Sequence, residues 1–137
     1  MSKQKIRLKI WTIGYGGRGV EDFINKLKEN GIDVVVDVRR WPTSKVIEYR
    51  RENLKRILKE HGIEYVWLGE ELGGYRRGGY ERYMQSESFK KGIERLMKLA
   101  HDHRVCIMCL ERSPRGCHRR FIAKRLEELG VEVCHIV

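Results

Sequence analysis

Between Met108 and Arg120 the run MCLERSPRGCHRR gathers Cys109, Glu111, Cys117 and His118 among Arg112, Arg115, Arg119 and Arg120. A thiol close to a helix N-terminus and to several guanidinium groups has its thiolate favoured, and the thiolate is the nucleophilic form. Glu111 and His118 supply a carboxylate and an imidazole, the usual acid–base pair of side chains near neutral pH. On a helical wheel His118 shares a face with Ile122, Leu126 and Leu129, so it points inward. That position suits a buried ring held by a backbone carbonyl, or an acid–base group lining a crevice beside Cys109 and Glu111. The stretch from Cys109 to Arg115 also fits Cys-x5-Arg, a loop that wraps a phosphate, although Pro114 removes one N–H from such a ring. Cys106, Cys109, Cys117 and His118 invite a zinc reading. In a strand, however, residues 106 and 109 face opposite ways roughly 10 Å apart, at a rise of about 3.3 Å per residue. They can share neither a metal nor a disulfide, so Cys106 and Cys134 are expected in the core and no metal site is assigned.

Three further stretches carry candidate ligand contacts. In TIGYGGRG (12–19), Gly14, Tyr15 and Gly16 lead toward a helix whose N-terminal N–H groups suit an anion, with Arg18 adding charge. The spacing matches neither the Walker pattern nor the dinucleotide fingerprint, so a tight turn with no ligand stands beside the phosphate cradle as a reading. In VVVDVRRWP, Asp37 lies inside an apolar strand, where a carboxylate needs a partner, and Arg39 follows on the same face. The two form an internal pair, or Arg39 also receives a ligand anion; Trp41 before Pro42 either stacks on a base or closes the core edge. The glycine-rich stretch 69–80 carries Tyr75, Arg76, Arg77 and Tyr80, types suited to stacking and phosphate contact, on a loop long enough to serve as a lid.

The elements that must position these residues alternate along the chain. Apolar runs at 6–13, 33–38, 64–68, 104–110 and 131–137 read as strands. Helical stripes stand between them: Val20, Phe23, Ile24 and Leu27 before a stop at Gly31; Leu54, Ile57 and Leu58 before Gly62; Phe89, Ile93, Leu96, Met97 and Ala100 after a Ser86 cap; and residues 117–129. Strands apolar on both faces and separated by helices specify a mostly parallel sheet covered on both sides. The expectation is a single three-layer α/β domain over residues 1–137, five-stranded, in the order 3-2-1-4-5. Ligands of such sheets bind outside the carboxyl ends of the strands, which is where the candidate residues fall.

Twenty-nine Lys and Arg against 19 Asp and Glu give a net charge of +10, favouring nucleic acid, nucleotides or other phosphorylated partners. A solvated, ion-paired surface of the kind found in thermophiles accounts for the same composition. No apolar stretch approaches a membrane span, and four cysteines without an export signal are expected to be reduced thiols of a cytoplasmic protein.

With these motifs in hand, the chain resembles the domain-of-unknown-function family 488. The likeness runs through TIGYGGRGVEDFI, VVDVRRWP, EYVWLGEELGG, YMQSESFKKGIERL and MCLERSPRGCHRRFIAKRL. The family pattern carries over to Gly14, Asp37, Arg39, Pro42, Leu72, Gly73, Tyr83, Met84, Cys109, Glu111, Pro114, Cys117, His118 and Arg119. Tyr15 and Gly16 depart from it, standing where the family commonly has His-Ser, and Arg115 is not a position of the pattern. The resemblance implies no activity; it implies that the matched residues cluster at the strand ends.

The functional expectation is a protein that binds a phosphate-bearing ligand, nucleic acid or a nucleotide. Cys109 is its reactive or site-shaping thiol, Glu111 and His118 its acid–base pair, and Arg39 and Arg119 its anion clamp, with Gly14, Tyr15, Gly16, Asp37, Pro42, Tyr75, Arg76, Arg77 and Cys117 as further contacts. Two alternatives stay open: a non-catalytic nucleic-acid-binding module using Arg76, Arg77 and the Arg50, Arg51, Lys55, Arg56 face, and thiol or sulfur chemistry at Cys109. No cofactor is assigned.

Overall fold

The computed structural model describes residues 7–111 and 118–137. Its five strands are β1 (Lys9–Gly14), β2 (Val34–Asp37), β3 (Glu64–Trp67), β4 (Val105–Cys109) and β5 (Glu132–Ile136). The helices are α1 (Val20–Glu29), α2 (Arg51–Glu60), α3 (Gly69–Leu72), α4 (Tyr80–Tyr83), α5 (Glu87–Asp102) and α6 (Arg119–Glu128), with a 3-10 turn at Ile47–Tyr49. The stops expected at Gly31 and Gly62 are made by left-handed residues, with φ of 65° and 73°, a conformation open to glycine because it lacks a Cβ. At the start of α5 the Phe89 N–H donates to Ser86 Oγ at 3.2 Å, the side-chain cap read from the sequence.

Every strand pairing is parallel, but the order is β3-β2-β4-β1-β5. This corrects the 3-2-1-4-5 arrangement: β4, not β1, holds the centre. The burial pattern gives the physical reason. All of β4 is buried, whereas β3 and β5 are half exposed and take the edges. β1 is nearly as apolar as β4, so composition puts both strands inside the sheet and does not say which is central.

Strand residues alternate between two cores, as a pleated sheet requires. On one face Ile10, Val34, Val36, Val105, Ile107 and Cys109 pack against Phe89, Ile93 and Leu96 of α5 and Ile122 and Leu126 of α6. On the other, Trp11, Ile13, Val35, Cys106 and Met108 pack against Phe23 and Leu27 of α1 and Leu54 and Leu58 of α2. The chain therefore leaves β1 and β2 toward one face and β4 toward the other. Where neighbouring strands diverge in this way, their carboxyl ends open a crevice. Because β4 lies between β2 and β1, its end has such a neighbour on each side.

Candidate functional site

The crevice is an open cleft of about 390 Å³ at the carboxyl end of β4. Tyr15 comes to it from β1, Arg39, Arg40 and Trp41 from the loop after β2, Gly74 and Tyr75 from the segment after α3, Cys109 to Glu111 from β4, and His118 from the start of α6. The topology thus brings together residues far apart in the chain, among them Cys109, Glu111, His118, Arg39, Tyr15 and Tyr75 of the sequence-derived set.

The β1 end is a brace. Tyr15 N–H donates to Cys109 O at 3.0 Å and Gly16 N–H to Leu110 O at 2.8 Å, prolonging the β1–β4 ladder beyond the strands. A Cβ on Gly16 would stand 2.7 Å from Leu110 O, so only glycine permits that approach. Gly14 O accepts from Arg18 Nε at 2.9 Å. Of the cradle expected at Gly14, Tyr15 and Gly16, the N–H groups of Tyr15 and Gly16 are thus engaged by β4, and Gly16 allows the backbone contact.

Asp37 and Arg39 form the internal pair. Arg39 Nε donates to Asp37 Oδ1 at 2.9 Å and Nη2 to Oδ2 at 2.8 Å, while the Arg39 backbone N–H adds a third bond to Oδ1 at 2.9 Å. Tyr65 Oη donates to Oδ2 at 2.5 Å. Burial raises the Tyr65 hydroxyl pKa and the Asp37 charge raises it further, so Tyr65 is held as a donor. Burial alone disfavours the Arg39 guanidinium, but its hydrogen bonds and charge pairing with Asp37 outweigh that and keep it firmly protonated. Arg39 Nη1 donates to Tyr49 O at 2.7 Å and to Thr43 O at 3.3 Å. Most of the Arg39 donors therefore tie the 43–49 segment to β2 rather than facing a ligand.

Arg40 is the residue that the sequence reading missed. Its Nη1 donates to Tyr75 O at 2.7 Å and its guanidinium lies 5.2 Å from the Trp41 ring centroid. Among the described residues no carboxylate is within ion-pair distance of it, so the cleft keeps this positive charge. A signal was present in VVDVRRWP: once Asp37 takes Arg39, the adjacent arginine is left without that partner.

Cys109 ends β4 as a buried thiol on the α5/α6 face, and Glu111 is exposed two residues on. His118 Nε2 lies 3.2 Å from Val38 O. A carbonyl only accepts, so Nε2 carries the proton of this bond. The same half-buried ring is held by a carbonyl and lines the cleft. Leu129, expected on its inward face, is exposed at the end of α6, where Ile122, Ala123 and Leu126 provide the buried stripe. Arg119 departs from the anion-clamp expectation. It is fully buried, with Nη1 donating to Thr12 Oγ1 at 3.2 Å and Nη2 to Glu111 O at 3.0 Å, so it anchors the loop that carries Glu111. Cys117, with Arg112, Pro114 and Arg115 of the phosphate-loop reading, lies outside the described residues.

Residues 69–83 hold more structure than a plain loop. Gly69 O keeps its helical partner, the Gly73 N–H at 2.9 Å, but the later carbonyls of α3 are left over by its short length, and side chains that follow it bond them. Arg76 Nη2 donates to Gly69 O and Glu70 O, Tyr80 Oη to Leu72 O at 2.8 Å, and Tyr83 Oη to Glu71 O at 2.7 Å. The Arg76 guanidinium also lies 3.9 Å from the Tyr83 ring centroid. Arg76 is thus a capping residue, a correction to its expected role as a ligand contact, whereas Tyr75 and Arg77 are exposed. Pro42 is not on the cleft wall; its carbonyl accepts from Arg51 N–H at 3.0 Å at the start of α2.

On the outer α2 face, Arg51 lies 4.8 Å from the Trp67 ring centroid and 3.9 Å from Glu52, and Arg56 lies 3.8 Å from Glu60. Cys106 and Cys109 belong to opposite cores, as alternation requires, and Cys134 is half-buried against the Cys106 side. Complete burial pushes the Cys106 thiol pKa well up. Among the described residues no cluster of His, Cys, Asp or Glu is arranged to hold a metal ion, and no helix is long and apolar enough to cross a membrane.

Neither a curated protein nor a solved structure matches the chain. The model of one family does, Domain of unknown function DUF488, over residues 19–126. That span runs from the glycine before α1 into the last turns of α6 and includes every cleft residue except Tyr15. The chain belongs to the DUF488 family.

Proposed function

We propose that the cleft at the end of β4 binds a phosphate-bearing ligand, a nucleotide or nucleic acid, and that Cys109, Glu111 and His118 act on it. The observation that carries this reading is that a thiol, an exposed carboxylate, an imidazole and the Arg40 guanidinium share one opening. Arg40 is the anion contact, because its charge has no carboxylate partner among the described residues, and Arg39 and Arg119 hold the loops. Glu111, exposed to water, is the proton acceptor. His118 stands in the lining as the imidazole, its ring fixed by Nε2 on Val38 O. Cys109 is the nucleophile or the thiol that shapes the site.

A panel of nucleotides and oligonucleotides, screened for turnover, tests the assignment. Cys109→Ala, Glu111→Gln and His118→Asn should each reduce turnover of a hit by about 10²- to 10⁴-fold, the usual range for a positioned acid–base group. Unchanged turnover in all three removes the catalytic assignment. Binding that persists in Cys109→Ala with no turnover of any panel member, and that weakens steeply with salt, marks a non-catalytic nucleic-acid-binding protein instead.

A further inference from the structure

Trp41 and Tyr75 are 59% and 85% exposed and face each other across the rim of the cleft, ring centroids 5.6 Å apart and tilted by 41°. We propose that this ring pair is a stacking platform for one unpaired nucleobase whose adjoining phosphate meets Arg40. The inference rests on the reading of the cleft as a phosphate-ligand site and narrows its ligand to a nucleotide unit with an open base face.

Packing does not account for the pair. Most of the exposed large apolar side chains of the described residues, Trp41, Val46, Ile47, Tyr75 and Leu110, stand on loops at this one end of the sheet. Among the described residues Tyr75 is the non-glycine residue with positive φ, at 60°, a conformation that is costly for a bulky side chain. Its ring gains almost no burial in return. The strained backbone is nevertheless held firmly. Arg40 Nη1 bonds Tyr75 O at 2.7 Å, and Gly73 and Gly74 before it are buried. A Cβ on Gly73 would lie 2.6 Å from Arg40 Cβ, and one on Gly74 would lie 3.1 Å from His118 Nδ1. Strain that serves an exposed aromatic ring at a cleft mouth is the kind of outlier from which function is inferred.

The geometry also restricts the ligand. A base inserted between two rings needs them about 7 Å apart, twice the roughly 3.4 Å rise per base in a stacked strand. At 5.6 Å and tilted, Trp41 and Tyr75 leave no slot, so a base lies on their outward faces. Bases within a duplex have both faces covered by neighbours. An unpaired base, in a single strand or a free nucleotide, has a face to offer, and aromatic stacking with nearby guanidinium groups is the common means of holding one. The Arg40 guanidinium, beside the Trp41 ring, stands where the phosphate of that nucleotide would follow.

Tryptophan fluorescence of the full chain reads this directly. Trp11 is buried, Trp67 is half-buried with its indole N–H on Arg39 O, and Trp41 is the exposed one. Adenosine monophosphate, oligo(dT), oligo(dT) annealed to oligo(dA), and ribose phosphate are titrated in turn, with affinities taken by calorimetry. The expected result is quenching by an unpaired-base probe and none by ribose phosphate or the annealed duplex. Quenching by adenosine monophosphate identifies a free nucleotide as sufficient, and quenching by oligo(dT) alone identifies a single strand; either supports the platform. Trp41→Ala and Tyr75→Gly should each weaken binding by about tenfold or more, while Trp41→Phe stays within about threefold. Tyr75→Gly keeps the left-handed backbone and removes only the ring, and unchanged thermal melts of these variants separate lost stacking from lost fold. Ribose phosphate binding as tightly as adenosine monophosphate with Trp41 unquenched overturns the platform but leaves the phosphate-site reading intact. Binding of none of the probes overturns both.

Discussion

The Arg39 guanidinium meets both oxygens of Asp37, at 2.9 and 2.8 Å, with the carboxylate fully buried at the end of β2. This pair sits between the sheet and the loop that carries Arg40 and Trp41, and its remaining bonds reach Tyr49 and Thr43. Removing one member strands the other as a buried charge. Asp37→Asn is expected to cost about 3–5 kcal/mol, the usual penalty for breaking a buried pair, read as a lower denaturant midpoint. Arg39→Met in the Asp37→Asn background should recover part of the loss, since no charge is then left unpaired.

Gly16 permits the backbone contact that draws the β1 and β4 ends together. Gly16→Ala places a methyl group 2.7 Å from Leu110 O, a backbone atom with little freedom to yield. A loss of about 1–3 kcal/mol is expected, typical of overpacking, together with weaker ligand binding. Gly19, three residues on, has open space around its Cβ direction and precedes α1 as its N-cap. Gly19→Ser should leave stability unchanged or raise it by a few tenths of a kcal/mol, and thermal melts of the two variants provide the comparison.

The three-layer sheet was legible because apolar runs and helical stripes alternate along the chain and end at Gly31, Gly62 and the Ser86 cap. The strand order was not, because β1 and β4 are both apolar enough for the interior and right-handed crossovers permit either in the centre. The Asp37–Arg39 pair was legible from strand alternation. The capping role of Arg76 was hidden, because it depends on a four-residue helix whose carbonyls need partners. Arg119 was misread for a related reason: a guanidinium at a helix start can turn toward solvent or inward, and only the position of Thr12 on the neighbouring strand decides it.

Thr12 leads to a pH dependence. Its Oγ1 accepts from Arg119 Nη1 and lies 2.5 Å from His135 Nδ1, so it donates onward to the neutral ring. Burial first, and then the Arg119 charge, lower the His135 pKa below its ordinary 6.5, with Glu127 opposing. The unfolded chain therefore binds more protons than the folded one as pH falls below that value, so stability falls with it. Melting temperature should drop from neutral toward mildly acidic pH, and His135→Gln should flatten that part of the profile. An unchanged slope would remove His135 as its source.

Cys106 and Cys109 are both buried but should separate by surroundings, since Cys109 lines the cleft and Cys106 does not. Cys106 is fully buried with its thiol pKa raised, which disfavours the reactive thiolate. Peptide mass mapping after alkylation should show Cys106 unlabelled in the folded protein and labelled in denaturant. Cys109 is also buried but lines the cleft, so it should label in the folded state faster than Cys106, and a bound nucleotide or oligonucleotide should slow it.

The placement of the ligand at the β4 end is tested most directly by following backbone amide resonances while adenosine monophosphate or oligo(dT) is titrated into the full chain. Shifts concentrated at Tyr15, Arg40, Trp41, Gly74, Tyr75, Leu110 and Glu111 are the expected result. Shifts centred instead on Arg51, Lys55 and Arg56 of α2, with the cleft amides unmoved at saturation, would contradict it.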